Sequence, residues 1–419
     1  MKRSNKLWIA LIFLLSVPIF QLYGQKNILD VRFEGLKKTK PSYLNKFIQS
    51  SIKAPFDSLK AREDVQKLRN LNLFLNVDYH TKDSLNSIIL IFQCEEALSL
   101  LPMINFGGVK ENFWFQVGAL EFNWQGRGKT VGGFYRYDQR HSFQIFQQTP
   151  YINSSKWGYT LSFLKLSTIE PIYINTSSID YEYDNITAEF LPRYTFKFGH
   201  HLQFGTAYIR EKYTPLGMSE DAITVPIQNK MILKTVYTWQ NLDYFFHYIE
   251  GLSNEFFVES VVNTSTTEFF WKIFNQTRYF KRIGKGGNLA LRLRLGISKD
   301  NGSPFAPFVL DSYVNIRGAG NRVFRGSGEW TLNAEYRQTI LDKKIGTLQA
   351  VIFNDMGGWR IAGQGLDSEF EEFKSSIFSG LGLRLYSKKI YNLIMRIDYG
   401  LNPRNTTENG FVIGLGQYF

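Results

Sequence analysis

The sequence predicts an all-β transmembrane barrel of about 16 antiparallel strands, set behind a small N-terminal α+β domain. Three observations carry that expectation. From about residue 100 onward, apolar and polar residues alternate with a period of two, the mark of β-strands. The chain is rich in aromatics (16%, with 36 Phe and 23 Tyr) and in glycine (34), yet its mean hydropathy is only −0.22. It also begins with an export signal. A helical membrane protein needs several apolar runs of ~20 residues. Here, after residue 20, the longest is Ile88-Ile89-Leu90-Ile91-Phe92. A hydrophobic share of 44% excludes disorder, and a single cysteine, Cys94, excludes a disulfide scaffold.

Residues 1–24 read as a signal peptide: basic Lys2, Arg3 and Lys6, an apolar stretch from Leu7 to Phe20, then a small residue at Gly24. Its removal lowers the net charge from +12 to +9.

Residues 25–99 form the small domain. Ile28, Val31 and Phe33 mark a strand that ends at Gly35. Pro41 opens a helix where its missing N–H is harmless, and Tyr43, Leu44, Phe47 and Ile48 make its apolar face. Pro55 breaks it. Asp57 and Ser58 can cap a second helix carrying Leu59, Val65, Leu68 and Leu71. Two alternating strands follow at 73–79 and 87–93. The order β-α-α-β-β, with Val31-x-Phe33-x-Gly35, Leu71-x-Leu73-Phe74-x-x-Val77 and Glu95-Glu96, resembles a POTRA domain. That resemblance implies a module that binds partners by strand addition. Cys94, at the end of an apolar strand, reads as core.

Residues 100–419 form the barrel. In 289–296, four leucines face one way and Ala290, Arg292, Arg294 and Gly296 the other. In 392–399, Leu393, Met395, Ile397 and Tyr399 oppose Asn392, Ile394, Arg396 and Asp398. Alternation alone does not separate a soluble sandwich from a membrane barrel. Export, strands of about ten residues and aromatic clusters at strand ends (113–115, 244–246, 269–271) favour the barrel. Sixteen candidate strands run from 112–122 to 410–419, with 306–315 among them. An even number returns both ends of the barrel to the side of the small domain.

Three late motifs resemble the Omp85 family of outer-membrane assembly and translocation barrels. The first is Ile316-Arg317-Gly318, followed by Gly320 and Gly326-Ser327-Gly328-Glu329, similar to the family's loop tip but with Ala319 where an aromatic is usual. The second is Phe353-Asn354-Asp355-Met356-Gly357. The third is the run of Gly380-Leu381-Gly382-Leu383-Arg384, Arg396-Ile397-Asp398-Tyr399-Gly400 and Gly414 to Phe419. Gly126-x-Gly128 and Glu335 are weaker matches. The charges suggest a loop lock inside the lumen: Arg317 paired with Asp355, with Phe353 on the same strand face and Glu335 nearby. The resemblance implies a lateral gate between the first strand, near 112–121, and the last, near 410–419. Gly414, Gly416, Tyr418 and Phe419 belong to that last strand, and Gly414, Gly416 and Tyr418 share one of its faces.

The functional expectation is a non-enzymatic assembly, insertion or translocation factor of the outer membrane, with the small domain in the periplasm. Its partners would be unfolded client polypeptides, accessory subunits and lipid, with no cofactor, metal or nucleic acid. The alternatives are a secretion conduit of the two-partner type for one dedicated substrate, a passive solute pore and an outer-membrane lipase. The pore leaves the Arg317 loop unexplained. No G-x-S-x-G motif supports the lipase, and His80, His141, His200, His201 and His247 have no metal-ligand spacing.

Overall fold

The computed structural model describes residues 26–419 except 108–113, 138, 153–155, 175–176, 218–221, 225, 300–306, 313, 321–323, 362–373 and 391–392. The signal-peptide segment 1–24 lies outside the described residues. The small domain runs β1 (Asn27–Glu34), α1 (Pro41–Leu44), α2 (Ser58–Arg69), β2 (Phe74–Ser84) and β3 (Ser87–Glu96). Its sheet order is β1-β3-β2, with β1 parallel and β2 antiparallel to β3. The most apolar strand, β3, is therefore central. Asp57 caps α2 by accepting from the amides of Leu59 and Lys60. Buried Asp64 accepts the amides of Gln49 (2.7 Å) and Ser50 (2.9 Å), which fixes the turn after α1. Ile28, Leu44, Leu68, Val77, Leu90, Phe92 and Cys94 form one core.

The rest of the described chain is a closed antiparallel barrel. Its first strands are β4 (Leu100–Gly107), β5 (Trp114–Trp124), β6 (Lys129–Tyr137), β7 (His141–Thr149), β8 (Trp157–Ile174) and β9 (Ser177–Lys197). Next come β10 (His200–Pro215), β11 (Gln228–Phe245), β12 (Tyr248–Asn263), β13 (Phe269–Ile283) and β14 (Gly287–Lys299). A three-residue β15 (Phe308–Leu310) precedes β16 (Phe324–Asp342), β17 (Gly346–Ile361), β18 (Lys374–Ser387), β19 (Ile394–Asn402) and β20 (Asn405–Leu415). The alternation sorts by face. Leu293, Leu332, Ile352, Leu383, Ile397 and Ile413 are exposed outward, whereas Arg292, Asn333, Glu335, Arg384, Asp398 and Val412 are buried inward. An apolar outer belt around a polar interior is the arrangement of a transmembrane barrel.

Three strand expectations need correction. The first wall strand is β4, not 112–122. Leu100-Leu101-Pro102-Met103-Ile104 lacks alternation and contains a proline, a residue that argues against a strand in the sequence. Segment 306–315 contributes only β15, because β14 pairs directly with β16 and the connection between them leaves the wall. One strand is gained and one lost, so the wall still has sixteen. Last, β20 stops at Leu415. Gly416 has φ +85°, a left-handed conformation that glycine adopts freely. Beyond it the alternation is broken, and Gln417, Tyr418 and Phe419 leave the wall for the lumen.

Candidate functional site: a locked loop in the lumen

The connection between β14 and β16 dips into the barrel. Its tip is a self-bonded turn. The Ser312 amide donates to the Gly320 carbonyl and the Gly320 amide to the Ser312 Oγ, both at 2.7 Å. The Asn315 amide donates to the Asp311 carbonyl at 2.8 Å. Gly318 has φ +93° and its Cα lies against the Gly400 main chain, where a Cβ would stand 2.7 Å from the carbonyl oxygen. The tip therefore needs glycine on both sides of its contact with β19. Ile316, fully buried, packs with Leu310, Trp359 and Phe378, and Ala319 rests against that cluster.

Arg317 projects from this tip and is completely buried. Its Nε and Nη2 donate to the two Asp355 carboxylate oxygens at 2.8 and 2.9 Å, and its main-chain amide adds a third bond at 3.0 Å. Its Nη1 donates to Glu335 at 2.7 Å. This is the bidentate fork geometry particular to arginine. The guanidinium carbon lies 3.6 Å from the Phe353 ring centre and 4.3 Å from that of Tyr418. Two rings at those distances cannot share one face, so the cation is sandwiched. The structure thus brings Arg317, Asp355, Glu335 and Phe353 together.

Motif reading missed the charges around them. Glu335 also accepts from Arg337 and lies 3.8 Å from Arg384. Asp398 accepts from Arg384 Nη1 at 2.8 Å and stands 3.6 Å from Arg317. Arg292 donates to Asn333 (2.9 Å) and to the Val314 carbonyl (2.6 Å) of the loop. The inward parity of Arg337, Arg384 and Asp398 was readable from the alternation, but their pairing requires the register of four strands. Two glycines make room. A Cβ on Gly382 would overlap the Asp398 carboxylate, and one on Gly414 would lie 2.9 Å from Arg396 Nε. Gly414 is thus the seat of an arginine. On the distal side of the lock, opposite the small domain, the lumen holds a cavity of about 910 Å³, lined by charges that include Glu211, Lys230, Glu259, Lys272 and Arg294.

The gate residues are placed differently from the sequence expectation. Gly414 lies in β20 and Gly416 at its end, but Tyr418 and Phe419 are inside the barrel. The Tyr418 hydroxyl donates to the Ser312 carbonyl at 3.1 Å, and Arg337 Nη2 donates to the Phe419 main-chain oxygen at 3.0 Å. Phe419 packs by Leu242, Phe280 and Ala290. The sheet closes with β4 beside β20. β20 and β4 are hydrogen-bonded neighbours there, so the seam is shut.

The small domain sits across the proximal mouth. At the β5–β6 turn, the Lys40 amide donates to the Gly126 carbonyl (2.9 Å) and Lys38 pairs with Glu121 (2.7 Å). Buried Asn123 donates to Thr39 Oγ1 at 2.8 Å, and Thr39 donates to Glu96 at 2.8 Å. A Cβ on Gly128 would overlap the Tyr43 hydroxyl. The Gly126-x-Gly128 motif is therefore a docking turn. Farther round the rim Phe47 meets Tyr151, Arg69 pairs with Asp243 and stacks on Phe245, and the Leu98 amide donates to Lys389. Tyr244 and Phe246 line a crevice at this junction, so part of the 244–246 aromatic cluster serves domain docking.

Residues 27–97 match the POTRA family, described as "Surface antigen variable number repeat". Most of the chain superposes on solved barrels. BamA from Haemophilus ducreyi lacking POTRA domains 1–3 gives a TM-score of 0.56 at 11% identity, covering 93% of this chain and 83% of that one. CdiB from Escherichia coli gives 0.62 at 12% identity, covering 92% and 75%. The chain has the Omp85 fold. CdiB from Acinetobacter baumannii shares it as well, with a TM-score of 0.56 at 13% identity, covering 94% of this chain and 74% of its own. No curated protein matches at the sequence level. In this barrel, the loop between β14 and β16 reaches into the lumen against β16 to β20, and the POTRA domain sits at one mouth.

Proposed function

We propose that the chain is an outer-membrane factor that assembles, inserts or translocates client polypeptides, with its POTRA domain in the periplasm and no catalytic site or cofactor. Unfolded clients, lipid and accessory subunits are its partners. The observation that carries this reading is the union of a POTRA domain with a closed barrel whose lumen holds a loop tip anchored through buried Arg317. If the β4–β20 seam opens, the strand edges it exposes are templates for another chain. The wall is also uneven. Strands β4, β6, β7 and β19 have 8, 9, 9 and 9 residues, whereas β8, β9 and β11 have 18, 21 and 18. A tilted nine-residue strand spans roughly 20–23 Å of membrane, less than the ~30 Å of an ordinary hydrocarbon core. A thinned bilayer beside the seam would lower the barrier to insertion.

In this reading Arg317, Asp355, Glu335, Phe353, Ile316 and Gly318 form the lock, and β4 with β20 forms the gate. The secretion-conduit alternative requires passage through the lumen. The POTRA domain braced on several turns of one mouth and the loop bound in the lumen favour action at the seam. The test is depletion followed by an inventory of outer-membrane and secreted proteins. Loss of many membrane proteins supports assembly, and loss of one secreted protein supports the conduit. No change refutes both. A disulfide between β4 and β20 should abolish activity, and full activity of the crosslinked protein would exclude the gate.

A further inference from the structure

We infer that Tyr418 is a positioning residue that couples the loop lock to the seam strand, so that release of one releases the other. The inference rests on the lock reading above. Three facts converge on this side chain. Gly416, in its left-handed conformation, turns the chain out of β20 and aims Tyr418 inward. There the ring covers the second face of the Arg317 guanidinium, at 4.3 Å, and also lies 4.9 Å from Arg396 of β19 and 5.1 Å from Arg292 of β14. Its hydroxyl donates to the Ser312 carbonyl, part of the self-bonded turn that carries Arg317. Tyr418 is buried, so these contacts are made away from bulk water, where a cation–π contact is strongest.

The backbone adds a second link. Gly318 of the loop tip lies against Gly400 of β19 and beside Gly410 of β20. The neighbours of Tyr418 are fixed too. Gln417 is held by Arg384 and Tyr386, and the Phe419 main chain by Arg337, the same arginine that holds Glu335. If β20 moves away from β4 with its connected tail, Tyr418 must leave Arg317. If the loop withdraws, β20 loses the partner of its tail. Linkage makes the coupling reciprocal.

The test is hydrogen exchange by mass spectrometry on the full chain in lipid nanodiscs, read in the loop (311–320) and in β20 (409–415). Arg317→Ala should speed exchange in both segments. Tyr418→Leu should speed exchange in the loop by about tenfold, the scale of a desolvated cation–π contact. Tyr418→Trp, which keeps an aromatic face, should restore slow exchange. Unchanged loop exchange in Tyr418→Leu, while Arg317→Ala accelerates it, overturns the coupling and leaves the lock intact. Unchanged loop exchange in Arg317→Ala refutes the lock, and the coupling with it. Should Tyr418→Leu fail to assemble, Tyr418→Phe carries the test: it loses only the Ser312 hydrogen bond, so exchange at 311–316 should quicken, and no change there overturns the inference.

Discussion

The lock makes a quantitative claim that a double-mutant cycle can break. Arg317→Ala removes two side-chain hydrogen bonds to Asp355 and one to Glu335, all fully buried. Glu335 keeps Arg337 and a more distant Arg384, but Asp355 is left with the loop amide alone. Stranding a buried charge in this way costs about 3–5 kcal/mol. Asp355→Ala strands Arg317 less completely, because Glu335 still holds Nη1, so its loss should fall at the lower end of that range. In the double variant neither charge is stranded. The two losses should therefore not add, and the coupling should be about 2–3 kcal/mol. Urea unfolding of the barrel in lipid vesicles, followed by the fluorescence of its tryptophans, measures all three variants. Additivity within about 0.5 kcal/mol would refute the pairing. Arg317→Lys offers a check on geometry: a single ammonium cannot fork to both carboxylate oxygens, so it should recover only part of the loss.

Other consequences follow from single sites. Gly382→Ala should destabilise the barrel by a few kcal/mol, on the order of a broken buried pair, although alanine is ordinarily better than glycine in a strand; a neutral or stabilising result in the same urea assay would remove Gly382 as the seat of the Asp398–Arg384 pair. Gly128→Ala should loosen POTRA docking by about 1–3 kcal/mol, seen as faster proteolytic release of residues 26–99 with the barrel's heat resistance unchanged. Burial pushes the Cys94 thiol up to about 12, so maleimide should label the folded protein at a negligible rate at neutral pH and the unfolded chain readily. His247, in the β11–β12 turn at the POTRA junction, has its pKa lowered by burial to about 4 from an ordinary 6.5. The folded state then binds fewer protons than the unfolded state between those values, so stability is present above pH 6.5 and is lost as pH falls toward 4. Docking should weaken over that window, and His247→Gln should flatten the response; an identical acid profile in that variant would clear His247.

The sequence made the wall legible because alternation is a local property. It showed which face of β14, β16 and β19 each residue occupies, and it put Arg317, Asp355 and Glu335 in one lumen. Contacts between elements were less legible. Arg384 and Asp398 sit in motifs whose glycines drew the eye, yet their pairing depends on the register of β18 and β19. Gly126 and Gly128 stood in the sequence only as a weak motif match, and only the approach of Lys38 and Tyr43 explains why both must lack a side chain. Tyr418 was read on the inward face with Gly414, where it lies, but Phe419 was read as continuing the strand. A period-two pattern reads through a glycine as if the strand continued, whereas one left-handed residue ends the strand and turns the tail into the lumen. The same blindness hid β4, where Pro102 and an unbroken apolar run masked a strand at the boundary of the wall.

That boundary explains where the loop tip rests. The barrel closes where its last strand, β20, meets its first, β4. The loop tip does not rest on the well-paired wall of β8 to β13. It lies against Gly400 and Gly410 of the two last strands, and its arginine is anchored two strands further on, at β16 and β17. The lock thus spans β16 to β20 and braces the flank of the seam from within. A brace made of charges in a desolvated lumen is strong while every partner is present and weak once one is displaced, since the rest are then left unpaired. Such a support can hold the closing strand in place and still give way in a single step when something at the seam competes for it.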